Sequence, residues 1–130
     1  MEQVKDWMTS PVATLAPEDS LTKAAEKLLG MGLGCIIIES DGQPEGVFAK
    51  IDLLRVLTQE RSIEHLKLKD VMTDEIIAVE HDAPLDQAID IMLNKRLRWL
   101  PVVDGKTSQL QGLLSLSHVL DKMWKERLIA

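Results

Sequence analysis

The chain has 130 residues, 45% of them hydrophobic and 28% charged, which fits one compact domain or two small repeated halves and excludes a multidomain enzyme. Lys and Arg number 15 against 21 Asp and Glu, so the net charge of −6 argues against nucleic acid or an anionic membrane surface as a partner. The longest apolar run, residues 35–38, is far shorter than the roughly 20 residues that span a bilayer. We therefore expect a cytoplasmic protein without a membrane segment.

The first half predicts the element order strand, helix, strand, strand, helix. A short extended stretch at residues 12–15 precedes an amphipathic helix that starts at Leu21 and ends in a glycine-rich segment. Residues 35–38 form a continuous apolar run, which is typical of a strand covered on both faces. Turn residues then predict an antiparallel return at residues 46–49, and a second amphipathic helix follows over residues 51–59.

The second half predicts the same elements in the same order. Residues 76–79 are extended, and the first helix of this half starts at Leu85. The apolar run at residues 99–103 and the stretch at residues 112–115 predict a second hairpin. A final amphipathic helix is expected from Leu116 to about residue 128.

The two halves are also similar in sequence. Lys5-Asp6-Trp7-Met8-Thr9 recurs 64 residues later as Lys69-Asp70-Val71-Met72-Thr73, and after a small insertion Gly46 aligns with Gly112. We therefore predict an α+β protein made of two repeats, residues 1–61 and 62–130, which together form one compact module.

These residues resemble the cystathionine-β-synthase (CBS) domain in its usual tandem pair. The resemblance is carried by residues 69–73, by Leu100-Pro101-Val102-Val103-Asp104, and by the stretch from Gly112 to Leu120. It implies two pseudo-symmetric β-α-β-β-α repeats packed through their sheets, in a stand-alone regulatory module that often forms a homodimer. It further implies an adenosine-containing ligand of the AMP, ADP, ATP, S-adenosylmethionine or NAD class, bound in clefts between the repeats, with no required cofactor. An unidentified regulated protein would be the other partner.

The family pattern implies a ligand site at the corner where the return strand meets the last helix of each repeat. A hydroxyl at the strand end and the free N–H groups of the helix start can hold a phosphate, and a carboxylate three residues later can accept both ribose hydroxyls. Asp52 has the carboxylate position of the first repeat, where Ala49 replaces the hydroxyl. Ser115 has the hydroxyl position of the second repeat, where His118 replaces the carboxylate. We expect the Asp52 corner to hold a nucleoside better.

Further ligand contacts are expected from apolar and basic residues. The resemblance implies that the adenine ring lies among apolar side chains. These side chains are those of Val12, Ile37, Ile76 and Pro101. The positive charge for a phosphate could come from Lys50, from a protonated His118, or from the cluster of Lys95, Arg96 and Arg98. Such a cluster is, however, more often a solvated helix end than a phosphate site.

Structural roles are an alternative for the same residues. Ser115 is also an ordinary helix N-cap, and Asp52 near a helix start is favourable to the helix dipole without any ligand. Trp7 and Trp124 lie on terminal helical segments, where exposed aromatic area often marks an interface. The single cysteine, Cys35, is expected in the core.

The residues leave two functions of different classes open. The first is a ligand sensor that changes a partner protein, and the second is a homodimeric interaction scaffold whose clefts bind nothing. An enzyme is disfavoured because the sequence offers no nucleophile beside a base, no paired carboxylates in a shared motif and no phosphate-loop glycines. The three histidines lack the spacing of metal ligands, so no metal site is expected.

Overall fold

The computed structural model describes residues 2–60 and 62–129. Its strands are β1 (Thr14–Leu15), β2 (Cys35–Ser40), β3 (Gln43–Ala49), β4 (Val79–Glu80), β5 (Trp99–Val103) and β6 (Leu110–Ser115). Its helices are α1 (Leu21–Gly30), α2 (Lys50–Gln59), α3 (Leu68–Val71), α4 (Leu85–Lys95) and α5 (Leu116–Ile129), after a short 3-10 turn at Val4–Asp6. The predicted order of strand, helix, strand, strand, helix is confirmed in both halves, and so is the α+β class.

Two three-stranded sheets of identical topology form the framework. The strand orders are β1-β2-β3 and β4-β5-β6. In each sheet the first pair is parallel, because a helix carries the chain back across the sheet, and the second pair is an antiparallel hairpin. Asp41 and Gly42 both have positive φ angles, 52° and 81°, as the tight turn between β2 and β3 requires. The edge strands β1 and β4 have only two residues each, fewer than the four predicted for each.

The chain divides into two compact units. The middle unit is Ala13–Ile76, and the terminal unit combines Met1–Val12 with Ile77–Ala130. This division by packing differs from the two sequence repeats, whose boundaries of 1–61 and 62–130 remain a prediction. The leading segment of each sequence repeat packs in the unit that contains the sheet of the other repeat.

The leading segments, which we call docking segments, are residues 3–9 and 67–73. In the terminal unit, Thr9 and Leu113 exchange two backbone hydrogen bonds of 2.8 and 2.9 Å, so the segment extends the β6 edge. In the middle unit, Thr73 and Val47 exchange two bonds of 3.0 Å on the β3 edge. The recurring Lys-Asp-x-Met-Thr motif therefore marks the place where each sheet is completed.

Each unit has its own hydrophobic core between one sheet face and its helices. In the middle unit, alternate β2 residues Ile36 and Ile38 pack with the α1 residues Leu21, Ala24 and Leu28, as the helical spacing predicts. In the terminal unit the equivalent core contains Leu100 and Val102 of β5 with Leu85, Ala88 and Met92 of α4. Burial of these side chains is the main stabilising contribution to each unit.

The first helix of each unit has defined ends. The Ser20 hydroxyl accepts the Lys23 N–H at 3.1 Å and caps the start of α1. Beyond the end of α1, Gly32 has a φ of +64°, a conformation that glycine adopts without a steric cost. Arg96, which caps the end of α4, has a φ of +55° although it is not glycine. The two helices thus end similarly with different residue types.

Candidate functional site

The strand-to-helix corner of the middle unit is organised by Asp52. Ala49 is the N-cap residue of α2, and the Asp52 Oδ2 atom accepts the Ala49 N–H at 2.7 Å. The Arg55 Nη1 atom donates to Asp52 Oδ1 at 3.2 Å. The Asp52 side chain is 9% exposed, whereas the Arg55 side chain is 56% exposed. A buried carboxylate therefore caps α2 and still has unused acceptor positions on its oxygens.

The corresponding corner of the terminal unit lacks a carboxylate. The half-buried Ser115 ends β6, and its hydroxyl oxygen accepts the N–H of the exposed His118 at 3.5 Å, a long hydrogen bond. The Leu116 N–H donates to the Arg98 carbonyl at 2.8 Å, which fixes the start of α5 against the chain before β5. The first turn of α5 is therefore held more weakly by side chains than that of α2.

The expected adenine contacts differ in exposure. Ile37 is completely buried in the middle of β2, on the sheet face opposite Ile36 and Ile38. Pro101 has the equivalent position in β5 and is also buried, while Val12 and Ile76 are half-buried. Lys50, the first residue of α2, is exposed.

The predicted site residues fall into two sets of four. The middle unit contains Ile37, Lys50, Asp52 and Ile76, and the terminal unit contains Val12, Pro101, Ser115 and His118. Within the middle unit, α2 places Lys50 and Asp52 in its first turn. The predicted basic cluster lies at the end of α4: Lys95 is its last residue, Arg96 caps it, and Arg98 follows just beyond.

Cys35 lies in the core, and burial raises the pKa of its thiol to about 12. Such a thiol stays protonated near neutral pH and does not act as a nucleophile. Within residues 2–60 and 62–129, no three His, Cys, Asp or Glu side chains are grouped so that they could hold a metal ion. None of the helices in the same ranges is both long enough and apolar enough to cross a membrane.

Two shallow surface depressions of about 520 Å³ each lie along α4 of the terminal unit. Their shared lining is Pro84, Gln87 and Ile91, with acidic side chains around them. None of the eight predicted site residues lines either depression.

Both units expose apolar side chains on their helices. In the middle unit these are Leu29, Met31, Ile51, Leu54 and Leu57, and in the terminal unit Leu93, Leu120, Met123, Trp124 and Leu128. They concentrate on α2 and α5, the helices that follow the two hairpins. Groups of this size on two helices are unusual for a surface that meets only water.

The sequence matches the CBS domain family over residues 4–59 and again over residues 68–125. The chain belongs to the CBS domain family. It carries two CBS repeats, and this duplication accounts for the two sheets of equal topology. A CBS domain pair is a regulatory module.

Two curated relatives are matched over different shares of their own length. The CBS domain-containing protein YhcV of Bacillus subtilis is 28% identical over 119 residues, which is 92% of this chain and 84% of YhcV. An uncharacterized protein of Methanopyrus kandleri, MK0525, is 28% identical over 111 residues, which is 84% of this chain and 56% of that protein. The chain thus spans little more than half of MK0525.

Solved structures of CBS pairs share the fold. The CBS domain pair of protein MJ0100, in complex with 5′-methylthioadenosine and S-adenosyl-L-methionine, superposes with a TM-score of 0.85 at 21% identity, covering 96% of this chain and 98% of that one. CBSX2 in complex with AMP superposes with a TM-score of 0.82 at 24% identity, again covering 96% and 98%.

Two features of the CBS pair differ from the sequence-based expectations. Trp7, whose terminal helical segment is one where exposed aromatic residues often mark an interface, is only 2% exposed and belongs to the core of the terminal unit. Trp124 is 62% exposed, so its part in an interface remains a prediction. The contact of Arg55 with Asp52 was not predicted, although opposite charges three residues apart on a helix are a readable signal.

Proposed function

We propose that this CBS pair is a ligand sensor that binds an adenosine-containing molecule at its strand-to-helix corners and thereby regulates a partner protein. The observation that carries the proposal is the buried Asp52 carboxylate at the start of α2. The ligands named for MJ0100 and CBSX2, which have the same fold, support the adenosine class.

Asp52 would bind the ribose. A carboxylate has about four acceptor positions, and the Ala49 N–H and the Arg55 guanidinium use one on each oxygen. One position on each oxygen is left for the two ribose hydroxyls, which would donate to it. Such charge-assisted bonds contribute about 1.5–3 kcal/mol each.

The adenine ring would lie against apolar side chains. Val12 and Ile76 are half-buried and present apolar surface as they stand. Ile37 and Pro101 are buried, so contact with them requires a local opening. A ligand that needs this opening would shift the protein toward the opened conformation, which is how binding would be signalled to a partner.

Anionic ligand groups would bind where a hydroxyl is present. Ser115 and the N–H groups at the start of α5 are suited to a phosphate, and His118 would add a positive charge when protonated. Lys50 would contribute at the other corner only through an exposed ammonium group.

We also propose a homodimer. The exposed apolar residues of α2 and α5, including Leu54, Leu120 and Trp124, would be covered by a second copy of the chain. Burial of each large side chain contributes about 1.5–3 kcal/mol, so several together would stabilise a dimer.

The proposed action is binding rather than catalysis, in the cytoplasm, without nucleic acid or membrane as a partner and without a required cofactor. The net charge of −6 supports this choice of partners. The protonated, buried thiol of Cys35 supports a non-catalytic role.

Thermal melting tests the sensor. AMP, ADP, ATP, S-adenosylmethionine and NAD are added at millimolar concentration, and at least one should raise the melting midpoint because it binds the folded state. Asp52→Asn keeps the cap but removes the charge, and should weaken that ligand roughly 10- to 150-fold. Asp90→Asn, an exposed change on α4, is the matched control and should leave affinity unaltered. Midpoints unmoved by every ligand would contradict the sensor.

Sedimentation velocity at several concentrations tests the dimer. The wild-type chain should sediment as a dimer at tens of micromolar, and Leu54→Glu together with Leu120→Glu should shift it to a monomer. Both side chains are exposed, so the changes should not disturb the core. A wild-type monomer at that concentration would contradict this part of the proposal.

The second candidate is a scaffold that binds no ligand. It is favoured by one observation: Ala49 lacks the hydroxyl and His118 lacks the carboxylate, so neither corner has both groups. The melting experiment separates the two, because only the sensor gains stability from a ligand.

A further inference from the structure

We infer that the homodimer forms around residues 120–128 of α5, which pack antiparallel against the same residues of a second copy. The inference rests on the proposed function, because it names the surface and the pairing of the homodimer proposed there. It starts from a difference between two equivalent helices, since α5 has 14 residues and α2 has 10.

The last part of α5 is exposed to solvent on every side. Val119 is buried in the core of the terminal unit, and Lys122 still contacts the docking segment through the Trp7 ring and the Asp6 carbonyl. All six residues from 123 to 128 are exposed. They span more than one full turn, and a helical segment of this length has little stability in water unless an apolar face is packed.

An apolar stripe runs along the exposed face of α5. Leu120, Trp124 and Leu128 are exposed and follow one another at four-residue spacing, which places them on one side of the helix. Trp124 lies about 140° around the helix axis from the buried Val119. The stripe therefore points away from the core of the terminal unit.

The stripe is particular to the second repeat. With the offset that aligns the hairpin glycines of the two repeats, Thr58 and Ser62 take the positions of Trp124 and Leu128. These two residues are polar, and α2 already ends at Gln59. A second α5 therefore matches the length of the stripe, whereas α2 does not.

Two copies of the stripe fit each other when the helices run antiparallel. A twofold axis beside Trp124 brings the two indoles together and sets Leu120 against Leu128 of the partner subunit at both ends. A tryptophan then lies at the centre of the contact with aliphatic side chains around it. This is the arrangement typical of the residues that contribute most to binding.

The charges beside the stripe are complementary in the same arrangement. Asp121 and Lys125 lie on one side of the stripe, and within the chain they form an exposed ion pair of 3.0 Å. In an antiparallel pair this side of the helix faces its own copy. Asp121 then lies within about 3 Å, along the helix axis, of Lys125 of the partner subunit. Opposite charges therefore meet at two symmetric contacts.

Charge reversal on this side of the stripe tests the pairing by sedimentation equilibrium at low salt. Asp121→Lys makes both charges positive, and Lys125→Asp makes both negative. Each variant alone should have a dimer dissociation constant about 5- to 30-fold above that of the wild type. An equimolar mixture of the two should dimerise to within about threefold of the wild type, because both contacts of the heterodimer are attractive. Added salt should reduce these differences.

Two further variants test the apolar stripe and control for net charge. Trp124→Ala leaves the charges in place and should weaken the dimer at least about tenfold. Lys106→Asp makes the same charge change as Lys125→Asp, but in the exposed turn before β6, and should dimerise as the wild type does. Circular dichroism checks that each variant retains its helices.

The outcomes separate the inference from the proposed homodimer. If the wild type is a monomer at tens of micromolar, the homodimer fails and the pairing with it. If the wild type dimerises but Trp124→Ala dimerises equally well, the dimer uses another surface. If the two charge variants dimerise as the wild type does, or if mixing them restores nothing, the antiparallel pairing is wrong while the homodimer stands.

Discussion

The sulfur atom of Met72 lies so close to Gly46 that a Cβ atom on this glycine would stand 2.6 Å from it. The carbonyl oxygen of Thr73 would stand at 2.9 Å. The terminal unit has the same arrangement, since a Cβ atom on Gly112 would lie 2.6 Å from the Met8 sulfur. Both glycines therefore allow a docking segment to lie close to a sheet edge. The side chain of any larger residue at these positions would obstruct the segment.

We predict that Gly46→Ala destabilises the protein by about 1–3 kcal/mol, because the new methyl group meets a backbone carbonyl that cannot move without breaking the Thr73–Val47 pair. Urea unfolding followed by circular dichroism measures the loss. Gly30→Ala is the matched control: nothing lies within 4 Å of its added Cβ atom, so the change should be neutral or stabilising. Equal losses for both variants would contradict the steric explanation.

Trp7→Ala should destabilise the terminal unit by about 3–5 kcal/mol, since it empties a core position that is 2% exposed. All three tryptophans of the chain lie in this unit, so the fluorescence of Trp99 and Trp124 reports its unfolding. Lys122→Met keeps most of the aliphatic stem but removes the ammonium group, which lies 4.2 Å above the Trp7 ring and donates to the Asp6 carbonyl, and should cost about 0.5–2 kcal/mol. A Trp7→Ala loss as small as this would place the indole outside the core.

Asp52→Ala should destabilise the protein by about 1–3 kcal/mol, because the buried Ala49 N–H loses its acceptor. Asp52→Asn retains an acceptor oxygen and should cost less. Arg55→Ala should cost below about 1 kcal/mol, as expected for an exposed member of an ion pair. Thermal melting of the three variants without ligand ranks their losses of stability. A larger loss for Arg55→Ala than for Asp52→Ala would contradict the role of Asp52 as the cap of α2.

Cys35 makes stability depend on alkaline pH. The unfolded thiol ionises near its ordinary pKa of 9.0, whereas burial holds the folded pKa at about 12. The contribution is fully present below pH 9 and is lost as the pH rises toward 12, because the unfolded state releases its proton first. Denaturant unfolding of the wild type and of Cys35→Ala between about pH 8 and 11 isolates this effect. The free energy of unfolding should fall more steeply with pH in the wild type, and parallel declines in both proteins would contradict the prediction.

Glu18 should contribute to the acid side of the stability profile. Lys67 and Lys69 each approach its carboxylate to 3.1 Å, and their hydrogen bonds lower the Glu18 pKa from its ordinary value of 4.5. The contribution is therefore present above that value and lost as the pH falls through the lowered pKa. In Glu18→Gln, the free energy of unfolding should decline less steeply with falling pH below 4.5 than it does in the wild type. Added salt should reduce this difference between the wild type and the variant. The exposed Glu26→Gln is the control and should decline as the wild type does.

The helices and hairpins were predictable because their signals are local. Leu21 and Leu85 begin helices at the predicted residues, and β5 has the predicted bounds, since periodicity and turn residues act over a few positions. The strands β1 and β4 were predicted too long because each forms only a two-residue parallel ladder. Asp52 was predicted near the helix start, whereas its bond to the Ala49 N–H depends on the conformation of the strand end, which the residue pattern does not specify.

The exchange of docking segments was not predictable from local sequence. Both segments carry the same Lys-Asp-x-Met-Thr motif, and both sheets offer a glycine at the same place, so either pairing satisfies the pattern. Which pairing forms depends on the path of the chain between the units. The sequence left the position of Trp7 open for a related reason, since its burial depends on the docking of its segment against a sheet.

A polypeptide with a single repeat would have an unpaired sheet edge at its return strand. Its own docking segment would have no sheet edge to pair with. Two such polypeptides could pair each other's sheet edges by exchanging their docking segments, as domain-swapped dimers do. When the two repeats are joined in one chain, this exchange of docking segments is intramolecular and does not depend on protein concentration. If the chain is cut between residues 61 and 62, the two halves should therefore reassociate with each other, each supplying the piece that its counterpart lacks.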